Sequence, residues 1–200
     1  TTKARGSFDT NLSRLRKTLD SALGAGGSRD YLQLEKGVLT LQNTLIDSQE
    51  FLKTMTRGQQ HVRRQELFQA GLAFRLADHL WQGEFFAGQD LSDELIAERQ
   101  KFTELRLEMV ESWSKLLLLD NANEDAESLL QKGLQLDPTR EQLVQILYQC
   151  YRRQNELAKA NKVLDRYRKA LLSDEYSTED VEEIVQALKM KEYLFKIDNK

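Results

Sequence analysis

The chain has 200 residues, 40% of them hydrophobic and 30% charged, with a formal net charge of −3. That length accommodates one or two domains with a packed core, and the slight acidity excludes a polycation that coats nucleic acid indiscriminately, so any DNA contact has to come from a local patch. One cysteine, Cys150, excludes an internal disulfide, and no run of about 18 apolar residues is present to span a membrane; both fit a cytoplasmic protein. The opening Thr1-Thr2-Lys3-Ala4-Arg5-Gly6 has no apolar stretch behind it and no initiator Met, so a signal peptide is not expected and a piece of a longer protein is.

In chain order, residues 8–22 come first and carry Phe8, Leu12, Leu15 and Leu19 at helical spacing, with Ser7 or Asp9 as the expected cap. The run Gly24-Ala25-Gly26-Gly27-Ser28 stops that helix, since glycine accepts the positive φ of a helix exit. Residues 31–34 and 38–41 alternate around Glu35-Lys36-Gly37 and predict a β-hairpin, the one β signal in the sequence. Everything beyond Asp47 predicts helix, helped by a single proline, Pro138. The expected spans are 47–55, 65–81 (with Leu67, Phe68, Leu72, Leu76 and Leu80 inward), 91–119, 125–136, 139–154, 157–172 and 179–195. Short joints at 120–123 and 137–139 make neighbouring helices antiparallel.

The helical stretch repeats. Taking Pro138 as the close of a 34-residue helix–turn–helix unit puts Val110, Trp113, Ser114 and Leu117 on the first helix and Ala126, Leu130 and Gly133 on the second. A shift of one period gives Val144, Leu147, Tyr148 and Tyr151, then Ala160, Leu164 and Tyr167. Small residues are expected where two helices cross closely and large ones where they interlock. The register departs at Tyr148, where a small residue is usual, and at Leu172, where proline is usual. The fold class expected is mainly α: a TPR-like bundle with a small helix-plus-hairpin element at the N-terminus.

Several segments carry a family resemblance. Leu80-Trp81-Gln82-Gly83-Glu84-Phe85-Phe86-Ala87-Gly88 resembles the "LW.G.FLAG" signature of bacterial transcriptional activator domains, the TPR-like domains of SARP-type regulators. Glu98-Arg99, Leu136-Asp137-Pro138-Thr139-Arg140-Glu141 and Leu147-Tyr148 with Ala158, Ala160 and Leu164-Asp165-Arg166-Tyr167 continue it. The family's glycine after the "LY" helix is replaced here by Gln154-Asn155, and its Glu-Leu-Gly by Asp174-Glu175-Tyr176. Residues 8–17 resemble the recognition helix of an OmpR-type winged helix ("VD.HISRLRRKL"), which makes the 31–41 hairpin its wing. The resemblance therefore implies the C-terminal half of a winged-helix domain over 1–46 and a TPR-like activator domain over 47–200. It also implies a transcription regulator that contacts double-stranded DNA when intact. Its protein partner would be RNA polymerase, an upstream sensor domain or a sister protomer in a homodimer.

Residues 3–17 hold five cations against Asp9. Opposite the apolar stripe lie Thr10, Ser13, Arg14 and Lys17, short polar groups and cations of the kind a helix needs in a major groove. Arg14 is the candidate for a base edge, because its fork matches guanine; Arg5, Thr10, Asn11, Ser13 and Lys17 are candidates for phosphate or mixed contacts. Arg16 sits at the flank, and Lys36 at the hairpin tip could reach the backbone. The plainer reading is a solvated basic face on an ordinary helix, in which case the protein is a TPR-type adaptor without DNA binding. A second basic run (Arg152, Arg153, Lys159, Lys162, Arg166, Arg168, Lys169) is expected to balance the acids at 174–183. Trp81, Phe85, Phe86 and Trp113 are expected in the core rather than in a ligand cage, and Cys150 as a buried hydrophobe. His61 and His79 lack partners at metal spacing, and no phosphate loop, H-E-x-x-H or C-x-x-C occurs, so no enzyme activity, metal or cofactor is expected.

Overall fold

The structure, a computed structural model, describes the backbone of residues 2–191 and the side chains of residues 6–191. The chain divides into two compact units, Thr1–Gln49 and Glu50–Lys200.

The first unit consists of helix α1 (Thr2–Leu23), a 3-10 turn (Gly27–Asp30) and an antiparallel pair, β1 (Leu32–Glu35) and β2 (Val38–Leu41). Leu32 faces Leu41 and Glu35 faces Val38. Lys36 (φ 50°) and Gly37 (φ 81°) form the tip, and two consecutive positive φ values are what a tight hairpin turn with matching strand twist requires. Gly24 takes φ 98° and ends α1, and Asp20 accepts the Ser28 backbone N–H at 2.8 Å, tying the 3-10 turn to the helix. The helix starts well before residue 8, so Ser7 and Asp9 lie inside it and do not cap it. Among the described side chains, the buried apolar groups of this unit are Leu12 and Leu32. Phe8 and Leu15, on the expected apolar stripe, remain 42% and 44% exposed. One 3-10 turn and a two-stranded ribbon offer too little surface to cover a helix of this length.

Among the described residues the regular elements of the second unit are all helices: α2 (Asp47–Arg63, whose first three residues precede the unit boundary), α3 (Leu67–Leu80), α4 (Asp93–Leu119), α5 (Asn123–Leu136), α6 (Glu141–Arg153), α7 (Leu157–Ser173) and α8 (Thr178–Met190). Helix α4 packs on α5, and α6 on α7, as the repeat register requires. Ala126, Leu130 and Gly133 are buried with their counterparts Ala160, Leu164 and Tyr167, and so are Val110 and Ser114 with Val144 and Tyr148. Gly133 shows why the site is small: a Cβ there would lie 2.6 Å from Leu143 Cδ1 and 2.9 Å from a Val110 methyl.

The structure adds a third pair to the two found in the sequence. Helices α2, α4 and α6 end in the same way: a residue of positive φ (Gln65, Asn121, Asn155) donates its N–H three residues back, and the next residue donates five back. This is the Schellman exit, which satisfies the last carbonyls of a helix. Glu66, Ala122 and Glu156 then open α3, α5 and α7 with nearly identical backbone angles. Counting from these turns, Gly58, Ala70, Phe74 and Ala77 occupy the places of Ser114, Ala126, Leu130 and Gly133. A Cβ on Gly58 would meet the Phe74 ring at 2.5 Å. For that reason Gly58 does not end α2 near residue 55; it lets α2 continue to Arg63 past α3.

Helix α3 buries a different face from the expected one, except that Leu80 packs against the core as expected. Ala70, Phe74 and Ala77 are fully buried, whereas Phe68 is 74% exposed and Leu72 and Leu76 are each 50% exposed. Both faces of α3 are apolar, and close crossing selects the face with the alanines. Arg106, from α4, is buried with its guanidinium paired to Asp78 and 5.7 Å above the Trp81 ring. The last helix runs to Met190 among the described residues; its expected extension to Phe195 lies outside them.

Candidate functional site

In the first unit, Thr10, Ser13, Arg14 and Lys17 fall at helical spacing on one exposed face of α1, with Asn11 exposed beside them. No ion-pair partner holds Arg14 or Lys17 among the described residues, so both guanidinium and ammonium are available to a ligand. The Thr10 hydroxyl donates to the Gly6 carbonyl at 2.8 Å, which uses its proton and leaves its lone pairs facing out. Arg16 behaves differently. It is half-buried, its Nε is enclosed without a partner, and it borders an open depression with Arg29, Gln33 and Asn43. Lys36 is exposed at the hairpin tip. The side chain of Arg5 lies outside the described residues.

The segment 81–92 joins α3 to α4. Gly83 (φ 150°), Phe86 (φ 53°) and Gly88 (φ 72°) take it through tight reversals. Arg99 of α4 pins it by donating to the carbonyls of Phe85 (2.9 Å) and Phe86. Phe85 stacks on Phe102 with ring centroids 4.9 Å apart, and Trp81 lies 5.5 Å from Phe51, so both belong to the core edge. Trp113 packs against the core as well, whereas Phe86 is 49% exposed. Cys150 is buried, and burial pushes its thiol pKa up, away from reactive thiolate. Among the described residues no group of three or more His, Cys, Asp or Glu is placed to hold a metal ion, and no helix is long and apolar enough to cross a membrane.

The second unit carries a groove walled by α5 and α7 and floored by α6. Its deeper part encloses about 340 Å³ over Leu134, Val144, Leu147 and Val163, and a shallower part continues toward Tyr151 and Lys159. Gln131 and Gln135 stand on the α5 wall, Lys162 and Arg166 on the α7 wall. The basic run of α7 is only partly balanced. Lys159 pairs with Glu156 (2.9 Å) and approaches Glu127 (3.9 Å), and Arg168 pairs with Asp165 and Glu182. Lys162 and Arg166 have no ion-pair partner among the described residues. Tyr167, at the groove end, has its hydroxyl pKa pushed up to about 12 by burial, so it stays neutral. The sequence contained these cations but not their division into paired and unpaired, which depends on neighbours from other helices.

Comparison with known proteins agrees with this architecture. The solved structure of Mycobacterium tuberculosis EmbR, in complex with a low-affinity phosphopeptide, superposes with a TM-score of 0.68 at 18% identity, over 97% of this chain and 52% of that one. The chain thus spans about half the length of that structure. The C-terminal TPR-containing domain of a Plasmodium falciparum FK506-binding protein gives a TM-score of 0.49 at 13% identity, over 72% of this chain and 91% of that one. No curated protein sequence matches. The family model described as "Bacterial transcriptional activator domain" matches residues 46–191. With three like-turned helix pairs, the Arg99-pinned signature loop and that match over most of its length, the chain belongs to the bacterial transcriptional activator domain family.

Proposed function

We propose that this chain is part of a transcription regulator that contacts double-stranded DNA through α1 and the β1–β2 hairpin and a protein partner through its TPR-like unit. Residues 1–46 then act as the recognition helix and wing of a winged helix, and 47–200 as the activator domain. The observation that carries the DNA half is the exposed Thr10–Ser13–Arg14–Lys17 face, free of ion-pair partners and followed directly by a hairpin with Lys36 at its tip. Membership of the activator-domain family supports the regulatory half. Protein contact follows from stacked helix pairs, which expose a broad surface without disturbing the core; RNA polymerase, a sensor domain and a sister protomer are the candidate partners. The reading involves no catalytic step and places the protein in the cytoplasm.

A mobility-shift titration of the full-length protein on its promoter tests this. Arg14→Ala should weaken binding by roughly 1–3 kcal/mol and relax specificity at one base position. Lys17→Ala should weaken it evenly across sequences and flatten the salt dependence. Binding that ignores both salt and Arg14→Ala, or no binding at all, sinks the DNA half and leaves the alternative, a TPR-type adaptor.

A further inference from the structure

We infer that the groove between α5 and α7 is a docking site for a short acidic peptide segment of a protein partner, anchored by aliphatic side chains. The inference rests on the protein-contact half of the reading above and names the chemistry of the partner. Three features point to this occupant. The floor is apolar, formed by Leu134, Val144, Leu147 and Val163, and a 340 Å³ recess is large enough for one or two aliphatic side chains. One wall presents Arg166 at this recess and Lys162 along its shallower continuation, neither held in an ion pair among the described residues. The opposite wall presents the exposed amide of Gln135, which can bond a peptide backbone without adding charge, while Gln131 beside it donates to Glu127.

The acids near the groove do not cancel this field. Lys159, Lys162 and Arg166 line the groove against a single acid there, Glu127, which approaches Lys159 at 3.9 Å and accepts from the Gln131 amide at 3.1 Å. Asp165 is held by Arg168. A basic peptide would meet two like charges on entry. Nucleic acid would satisfy the cations but leave the apolar floor without a partner.

The test uses the full chain and a fluorescein-labelled peptide of about 12 residues with Leu or Ile spaced among Asp and Glu, read by fluorescence anisotropy at low and high salt. Two control peptides carry Lys in place of the acids, or Ser in place of the aliphatics. The acidic aliphatic peptide should bind saturably and the controls at least about tenfold more weakly. Lys162→Glu with Arg166→Glu should weaken binding by at least about tenfold, and Gln135→Glu by a few-fold, with helicity unchanged because all three side chains are exposed. Equal binding of the Ser control would reduce the effect to diffuse surface charge and overturn the inference, as would unaltered binding by the double variant or none by the parent. Displacement by duplex DNA that is lost in the double variant would reassign the groove to nucleic acid. The two readings separate cleanly. A protein that shifts promoter DNA but ignores the peptide loses only the groove assignment, and one that binds the peptide but no DNA loses only the DNA half.

Discussion

Gly133 and Gly71 are both helical glycines, yet their surroundings set opposite requirements. Around Gly133 there is no room: an added Cβ would stand 2.6 Å from Leu143 Cδ1 and 2.9 Å from Val110 Cγ1, in fully buried neighbours. Around Gly71 an added Cβ meets nothing within 4 Å. Alanine in a helix interior is favoured over glycine by about 0.5–1 kcal/mol, whereas forcing an extra carbon into a packed crossing costs about 1–3 kcal/mol. Gly71→Ala should therefore stabilise the protein by about 0.5–1 kcal/mol, and Gly133→Ala should destabilise it by about 1 kcal/mol once the propensity gain is subtracted. Urea unfolding of the two variants reads the signs directly. A neutral or stabilising Gly133→Ala would mean that α4, α5 and α6 do not cross as closely as described.

At the level of elements, the helix exits are where sequence and strain meet. Four helices of the second unit end on a non-glycine residue in the left-handed region: Gln65, Asn121, Asn155 and Glu175. Asparagine tolerates that backbone, while a longer side chain there costs about 1–2 kcal/mol. Glu175→Gly should accordingly raise stability by about 1 kcal/mol, and Asn155→Gly by only a few tenths, both measured by thermal unfolding. A lower melting temperature for Glu175→Gly would show that its turn is not held at positive φ. These exits also explain what could be read from the sequence. The α4–α5 and α6–α7 pairs were legible because Ala122 and Glu156 stand one 34-residue period apart, and Asn155 does the work of the missing family glycine. The α2–α3 pair was hidden because the 81–92 segment interrupts the period, and because Gly58 looks like a stop in a string of letters. The sequence leaves the facing of α3 open, since Phe68, Leu72 and Leu76 are spaced as well as Ala70, Phe74 and Ala77; only the closeness of the neighbouring helices decides. On α1 the periodicity places Thr10, Ser13, Arg14 and Lys17 on one face, but it does not foretell that Phe8 and Leu15 opposite are exposed too. The enclosure of Arg16 and the groove beside Lys162 and Arg166 were not legible either, since both arise from residues distant in sequence.

Across the whole molecule the two units differ in how firmly they are held. The second has a continuous core running from Phe51 to Leu188, whereas the first buries Leu12 and Leu32 and relies on polar ties. The main tie is Asp20, whose carboxylate accepts the Ser28 backbone N–H and its hydroxyl, with Arg29 and Arg16 adding favourable charge. These bonds hold the Asp20 pKa below the ordinary carboxylate value. A lowered native pKa means that the folded state binds its proton later than the unfolded chain does. The stabilisation is then complete above the unfolded value, about pH 4, and is lost as pH falls through the lowered native value. Acidification should accordingly release the 3-10 turn from α1, seen as loss of hydrogen-exchange protection at Ser28 and a shift of its amide resonance. Asp20→Asn keeps an acceptor oxygen but cannot titrate, so in that variant the Ser28 amide should respond little to pH over the same window. At neutral pH, amides of the first unit should already exchange much faster than those around Leu130 and Leu164, because few buried apolar contacts oppose local opening there. Equal protection in the two units, or a Ser28 amide that ignores pH in the parent protein, would show that something other than Asp20 secures the turn. A loosely held first unit also suits the proposed DNA contact, since binding a promoter would then order the helix and hairpin and raise the protection of both.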